Sequence, residues 1–406
     1  MLRRMENPSH LPAARSLWRD ASLSALAAGF VAVLVGFTSS VAIVFQAATA
    51  LGATQEQLTS WMWALGLGMG LCTLVPAWWL RKPVMVAWST PGAAVLAAGA
   101  VAGEGFTMAQ GIGAFLFCGA LILLSGVTGV FERVMNRLPL ALAAALLAGV
   151  LARFGLQAFS AAGTEPLMVG LMLLAFLLGR RFAPRYAVIF VLATGVSWCV
   201  AMGQLHVESV QWTLATPVFT APEFSLAALV SLGLPLFIVT MASQNLPGVA
   251  AIREAGYTLP ISKLISLTGA ATVLLAPFGA FALNLSAITA AICMGREAHE
   301  DPDRRYVAAI ASGAIYVCVG LFGGAVAGLL VAFPKAFIAA IAGLALLSTI
   351  GGALTMALQQ ESDREAALIT FLVTLSGVSI LGVGSAFWGV VAGVLALMVL
   401  RTARRS

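Results

Sequence analysis

Two short stretches carry the residue types that a membrane-buried binding site needs. One reads AWSTPGAAVLAAG from Ala87, the other ALNLSAITAAIC from Ala282. In the first, Pro83 followed by Val84, Met85 and Val86 favours an extended chain. Ser89 or Thr90 can then cap a helix, with Pro91 in its first turn, where the missing N–H costs nothing. In the second, Asn284 or Ser286 caps, and Ala287 to Cys293 continues as helix. Each stretch predicts a short extended piece followed by a half-helix that begins at mid-membrane depth. Two such N-termini facing one another would each bring roughly half a positive charge and several unpaired N–H groups. A small anion fits between them without an arginine. The expected site comprises Trp88, Ser89, Thr90, Pro91, Gly92 and Ala93 on one side, and Asn284, Leu285, Ser286, Ala287 and Ile288 on the other.

Two further runs place polar side chains inside apolar sequence. FTSSVAIVFQAA from Phe37 holds Ser39 and Ser40; LPLFIVTMASQNLPG from Leu234 holds Thr240, Ser243, Gln244 and Asn245. A lone Ser or Thr usually bonds to its own backbone. Adjacent amides are costly in hydrocarbon and normally face an interior or a cavity. Ser39, Ser40, Ser243, Gln244 and Asn245 are therefore expected to complete the polar shell. The 16 acids and the 3 histidines all fall at the ends of apolar segments or between them. That leaves no titratable relay at membrane depth and argues against an intramembrane enzyme. Cys72, Cys118, Cys199, Cys293 and Cys318 lie inside apolar segments without CxxC spacing, and HExxH is absent, so neither disulfides nor a metal or cofactor are expected. EAHED at 297–301 is read as a solvated charge cluster or a cytoplasmic contact.

These residues must be positioned by membrane helices. The chain has 406 residues, 61% hydrophobic and 9% charged, with a mean hydropathy of +1.00. A soluble domain has about 45–50% apolar and about 25% charged residues. Fourteen apolar segments are read at 22–48, 60–80, 83–102, 107–130, 138–158, 166–180, 184–204, 224–250, 260–277, 279–295, 306–330, 334–356, 364–381 and 384–401. With the N-terminus in the cytoplasm, 20 of the 22 Lys and Arg residues fall on the cytoplasmic side, and Arg153 and Lys335 fall opposite. Basic residues crowd cytoplasmic loops, so both termini are expected inside. The charge of +6 follows from that asymmetry and needs no nucleic acid.

The two halves resemble each other. At an offset of 204, Ser39 meets Ser243, Gly52 meets Gly256 and Thr54 meets Thr258. At 194, Thr90 meets Asn284 and Ala93 meets Ala287; at 195, LPLALAAALLAG from Leu138 meets FPKAFIAAIAGLA from Phe333. Seven is odd, so the repeats run in opposite senses through the membrane, a design of secondary transporters with the site at the repeat interface. The expected fold is all-α and polytopic, with 14 transmembrane segments as a 7+7 inverted repeat. A tail at 1–20 precedes the first repeat (21–204), a periplasmic connector (205–222) and the second repeat (223–402).

AWSTPGAA at 87–94, LARFGLQAF at 151–159, APRYAV at 183–188, LPLFIVTMASQNLPG at 234–248, AITAAIC at 287–293, EAHED at 297–301, AGLALLSTI at 342–350 and GVGSAFWG at 382–389 carry a resemblance over almost the whole chain. The chain resembles the benzoate–proton symporter family of bacterial inner membranes, and more distantly the nucleobase-carrier and sulfate-permease folds. The resemblance implies a core domain of segments 1–4 and 8–11 and a gate domain of segments 5–7 and 12–14. It implies import of an aromatic carboxylate with a proton. Trp88, Phe45 and Phe281 are the candidates for the wall against the ring. Nucleobase carriers place acids in segments 8 and 10, where this chain has Gln244, Asn245 and Asn284. The proton could ride on the substrate carboxylate or pass through Glu104 or Glu254. A nucleobase or other small-anion carrier and a passive anion channel are the alternative readings. The expected partners are the aromatic carboxylate, a proton, the lipid bilayer and, optionally, a second copy of the chain.

Overall fold

The computed structural model of the protein describes residues 17–38, 40–102, 105–205, 214–331, 333–378, 380 and 385–403. Helices follow the apolar runs. The first expected segment is split into α1 (Leu23–Thr38) and α2 (Val41–Ala50). The split falls at the serine pair, where Ser40 Oγ donates back to Gly36 O over 3.0 Å; a side chain that bonds the backbone competes with helical continuation. Then come α3 (Gln55–Leu80), β1 (Val86–Trp88), α4 (Thr90–Ala102) and α5 (Met108–Thr128). α3 and α5 open on capping boxes, Thr54 with Gln57 and Thr107 with Gln110, which satisfy two orphan N–H groups each.

The chain continues through α6 (Leu140–Ser160), α7 (Pro166–Phe182) and α8 (Ala187–Ala201) to α9 (Leu226–Glu254). α9 contains two π-turns, Leu229–Gly233 and Met241–Asn245, each followed by Leu-Pro. A proline removes an N–H and crowds the carbonyl four residues back. The wider π-turn makes room for it and is a frequent feature of functional sites. α10 (Ile261–Leu275), β2 (Leu283–Leu285), α11 (Ile288–Met294), α12 (Tyr306–Val331), α13 (Lys335–Leu358), α14 (Arg364–Ser376) and α15 (Ser385–Ala403) complete the chain.

Among the described residues, six helices are long and apolar enough to cross a membrane, and α13, bent by 41°, would make a seventh. That is fewer than the fourteen segments read from the sequence, because the remaining ones are short helices or strand–helix pieces. The protein is a helical, polytopic membrane protein. α12 packs along α3 and α1, α10 along α5, α6 along α13 and α14, and α7 along α8. Close approach on α3–α12 depends on paired glycines: a Cβ on Gly66 would lie 2.5 Å from Gly320 N. Small residues of this kind let membrane helices meet backbone to backbone.

Candidate functional site

β1 and β2 form a two-stranded antiparallel ribbon, with Val86 opposite Leu285, Ala87 opposite Asn284 and Trp88 opposite Leu283. It is extended further by Ser89 N to Ala282 O at 3.1 Å and Ser286 N to Met85 O at 3.0 Å. Backbone groups inside a membrane protein need partners, and two threonines supply them at the ribbon's outer edges. Val86 N donates to Thr73 Oγ1 (3.0 Å) and Leu283 N to Thr272 Oγ1 (3.1 Å). Leu285 N donates to Asn245 Oδ1 at 2.9 Å.

Each strand hands over to its helix through a serine. Gly92 N donates to Ser89 Oγ at 3.1 Å, and Thr289 N to Ser286 Oγ at 3.3 Å. The cap of α4 is thus Ser89, with Thr90 as the first helical residue. Ser89 Oγ is also held by Thr240 Oγ1 of α9 at 2.9 Å. Pro91 has no N–H and Gly92 N is taken, so α4 presents fewer free donors than the sequence suggests. α11 has seven residues, two turns, so its dipole is small and its hydroxyl groups are its main polar offering.

A cavity of about 350 Å³ lies against these two helix starts, inside the usual range of ligand pockets, about 300–1,000 Å³. Trp88, Thr90, Pro91, Ser243, Gln244, Ser286, Ile288 and Thr289 line it together with Val150, Arg153, Phe154 and Gln157 of α6. Met69, Tyr316, Gly377, Ser385 and Ala386 also contribute. Trp88 is fixed from two directions: its Nε1 donates to Ser40 Oγ at 2.9 Å, and its ring lies 5.4 Å from that of Phe37. Thr289 is 1% exposed and its Oγ1 has no hydrogen-bond partner among the described residues.

The structure thus gathers Trp88, Thr90, Pro91, Ser243, Gln244, Ser286 and Ile288 around one cavity, with Ser40 and Ser89 directly behind. Gly92, Ala93, Leu285 and Ala287 are buried and do not line it. Asn245 and Asn284, expected to face the substrate, are also fully buried away from it. Asn245 supports the ribbon, and Asn284 Nδ2 donates to Ala282 O at 3.2 Å while its Oδ1 has no partner among the described residues. Phe281 packs on Trp61 and Phe115, with ring centroids 5.6 and 6.0 Å apart, and neither it nor Phe45 lines the cavity. The aromatic side chains that line it are Trp88, Phe154 and Tyr316. Ser39 and Glu104 lie outside the described residues.

Arg153 lines the cavity but is absent from the site expected from the sequence. Counted there only as a far-side charge within segment 138–158, it sits within α6 and lines the cavity. The signal for it is a lone arginine in an apolar run, which a count of charges by side of the membrane hides.

A second, larger cavity of about 730 Å³ continues along the same helices. Leu147 of α6, Ala291 of α11 and Ala251 and Glu254 of α9 line it, with Arg180, Arg296, Glu297, Glu300 and Arg305. EAHED, expected to be a solvated or contact cluster, is partly interior. Glu297 and His299 are buried, Glu297 pairs with Arg180 at 3.1 Å, and Arg305 donates to Met294 O and His299 O, both at 2.7 Å. Among the described residues no three His, Cys, Asp or Glu side chains are grouped to hold a metal ion. The Glu254 side chain, half-buried, makes no ion pair or hydrogen bond among the described residues.

A polytopic helical protein whose strand–helix pieces meet at an internal polar cavity has the architecture of a membrane transporter. The sequence profile of the benzoate membrane transport proteins matches residues 19–399, and the chain belongs to that family. It is 39% identical over 386 residues to the "Benzoate membrane transport protein" of Acinetobacter baylyi, covering 95% of this chain and 97% of that one. It is 49% identical over 375 residues to the "Inner membrane protein YdcO" of Escherichia coli, covering 92% and 95%. The family is one of transport proteins, not of enzymes. Among solved structures, that of SLC26A9 shares the fold at a TM-score of 0.51 and 12% identity, over 94% of this chain and 65% of that one.

Proposed function

We propose that the protein is a secondary active transporter that imports benzoate or a related aromatic carboxylate across the bacterial inner membrane with a proton, by alternating access. The observation that carries this reading is the lining of the 350 Å³ cavity: hydroxyl and amide groups at the ribbon, aromatic and aliphatic walls, one guanidinium and, among the described residues, no carboxylate. An apolar ring with one negative group suits that lining. Burying about 150 Å² of ring at roughly 25 cal/mol per Å² supplies about 4 kcal/mol before ordering costs. The name of the Acinetobacter baylyi relative supports benzoate, and that of the Escherichia coli relative supports the inner membrane.

The fourteen segments are proposed to form a 7+7 inverted repeat with both termini cytoplasmic. Helix pairings support it. If segments one to seven match eight to fourteen, α3–α12 exchanges with α10–α5, and α7–α8 with α14–α15. Likewise α6–α14 exchanges with α13–α7, and β1–β2 maps onto itself. All of these pairs are in contact. Segments 1–4 and 8–11 would then form the core and 5–7 and 12–14 the gate, with the cavity between them.

The proton is proposed to pass through Glu254. A guanidinium beside a carboxylate keeps it ionised, so a substrate held near Arg153 is a poor proton carrier. Glu254 lies ten residues along α9 from Gln244, roughly 15 Å at 1.5 Å per helical residue, within the charged cavity. Proteoliposome uptake of labelled benzoate, challenged with uracil, sulfate and substituted benzoates, tests the whole reading. Substituted benzoates should compete and the other two should not. Competition by uracil or sulfate, or uptake that never exceeds equilibrium under an imposed pH gradient, would overturn it.

A further inference from the structure

We propose that Arg153 is the carboxylate anchor of the cavity and the residue that makes it select an anion over a neutral ring of the same shape. The inference rests on the aromatic-carboxylate reading and deepens it. Arg153 stands in α6, two turns from its C-terminal end at Ser160. A charge within an apolar helix is costly and is normally kept for a ligand, an ion pathway or a partner. Among the described residues no carboxylate pairs with it, and the cavity it lines contains none.

Its position is built rather than incidental. The guanidinium lies over Gly377, which ends α14 with φ +71°; a Cβ there would lie 3.1 Å from Cζ, Nη1 and Nη2 alike. A helix C-terminus favours a cation, so α14 holds the charge in place without neutralising it. Thr289 lines the same cavity, and its buried Oγ1 has no partner among the described residues. A carboxylate between them would take the planar fork of the arginine on one side and the threonine hydroxyl on the other. The two groups belong to different helix sets, α6 and α11, so a bound carboxylate would bridge them. A neutral ring would gain nothing from the guanidinium, so the anion would be preferred by the strength of that charge-assisted pair.

The test is equilibrium binding of benzoate and of benzamide, its neutral counterpart, to purified wild-type protein, Arg153→Gln and Arg153→Lys, with folding followed by gel filtration and thermal unfolding. Benzoate affinity should fall at least thirtyfold in Arg153→Gln and about tenfold in Arg153→Lys, which keeps a charge but loses the fork. Benzamide affinity should change less than threefold, so that the preference for benzoate collapses. Should Arg153→Gln fail to fold, Arg153→Lys decides alone. Wild-type affinity for benzoate in a folded variant, or an equal loss for benzamide, would overturn the anchor while leaving the benzoate reading intact. A wild-type protein that binds no benzoate would overturn the substrate reading itself and the anchor with it.

Discussion

Trp88 donates its indole N–H to Ser40 Oγ across 2.9 Å, joining the end of β1 to the break between α1 and α2. Ser40 in turn donates to Gly36 O at 3.0 Å, so one hydroxyl serves both the broken helix and the ring at the cavity wall. Ser40→Ala should leave the indole without its partner and let the ring shift. A net hydrogen bond is worth about 1 kcal/mol, so benzoate affinity should fall about fivefold with little change in thermal stability. Titration of benzoate against Trp fluorescence checks it; a loss of stability without a loss of affinity would assign Ser40 to the fold alone.

Gln244 and Asn245 are neighbours with opposite duties. Gln244 lines the cavity, whereas Asn245 Oδ1 accepts from Leu285 N at 2.9 Å. Gln244→Leu should weaken substrate binding and leave unfolding unchanged. Asn245→Leu strands a buried N–H and should cost about 1–3 kcal/mol of stability, seen as a lower unfolding midpoint in detergent. The reverse pattern would exchange the two roles.

Gly279 turns the chain from α10 towards β2 with φ +102°, and a Cβ there would lie 1.8 Å from Trp61 Cδ1. Both the backbone and the space are reserved for glycine. Gly279→Ala should destabilise by about 3 kcal/mol or more, with thermal unfolding in detergent as the measurement. A variant with a wild-type midpoint would show that the turn and Trp61 can both relax.

Glu254→Gln should abolish benzoate accumulation driven by a pH gradient while benzoate exchange continues. Glu104→Gln should retain both. The assay is uptake and counterflow in proteoliposomes. Retained accumulation in Glu254→Gln would instead place the proton on the substrate.

The sequence by itself determined the membrane class, the apolar segments and the two polar-capped stretches that start mid-chain, because hydropathy, proline position and capping chemistry are local properties; which residue caps, Ser89 rather than Thr90 and Ser286 rather than Asn284, came from the structure. AWSTPGAA and ALNLSAITAAIC could be read as strand–helix pieces before any contact was known. Partnership was not local. Whether Asn245 faces a cavity or a backbone N–H depends on Leu285, forty residues away, and on the π-turn Met241–Asn245 that it closes. Asn284 carries the same amide as a site residue would, yet the ribbon register turns it inwards. Arg153 reads only as a far-side charge within segment 138–158 when counted by side of the membrane, and becomes a cavity residue only when α14 ends at Gly377 beside it. Polar residues in an apolar chain mark where the free energy is concentrated, but only packing decides whether the group that meets it is backbone, another side chain or a substrate.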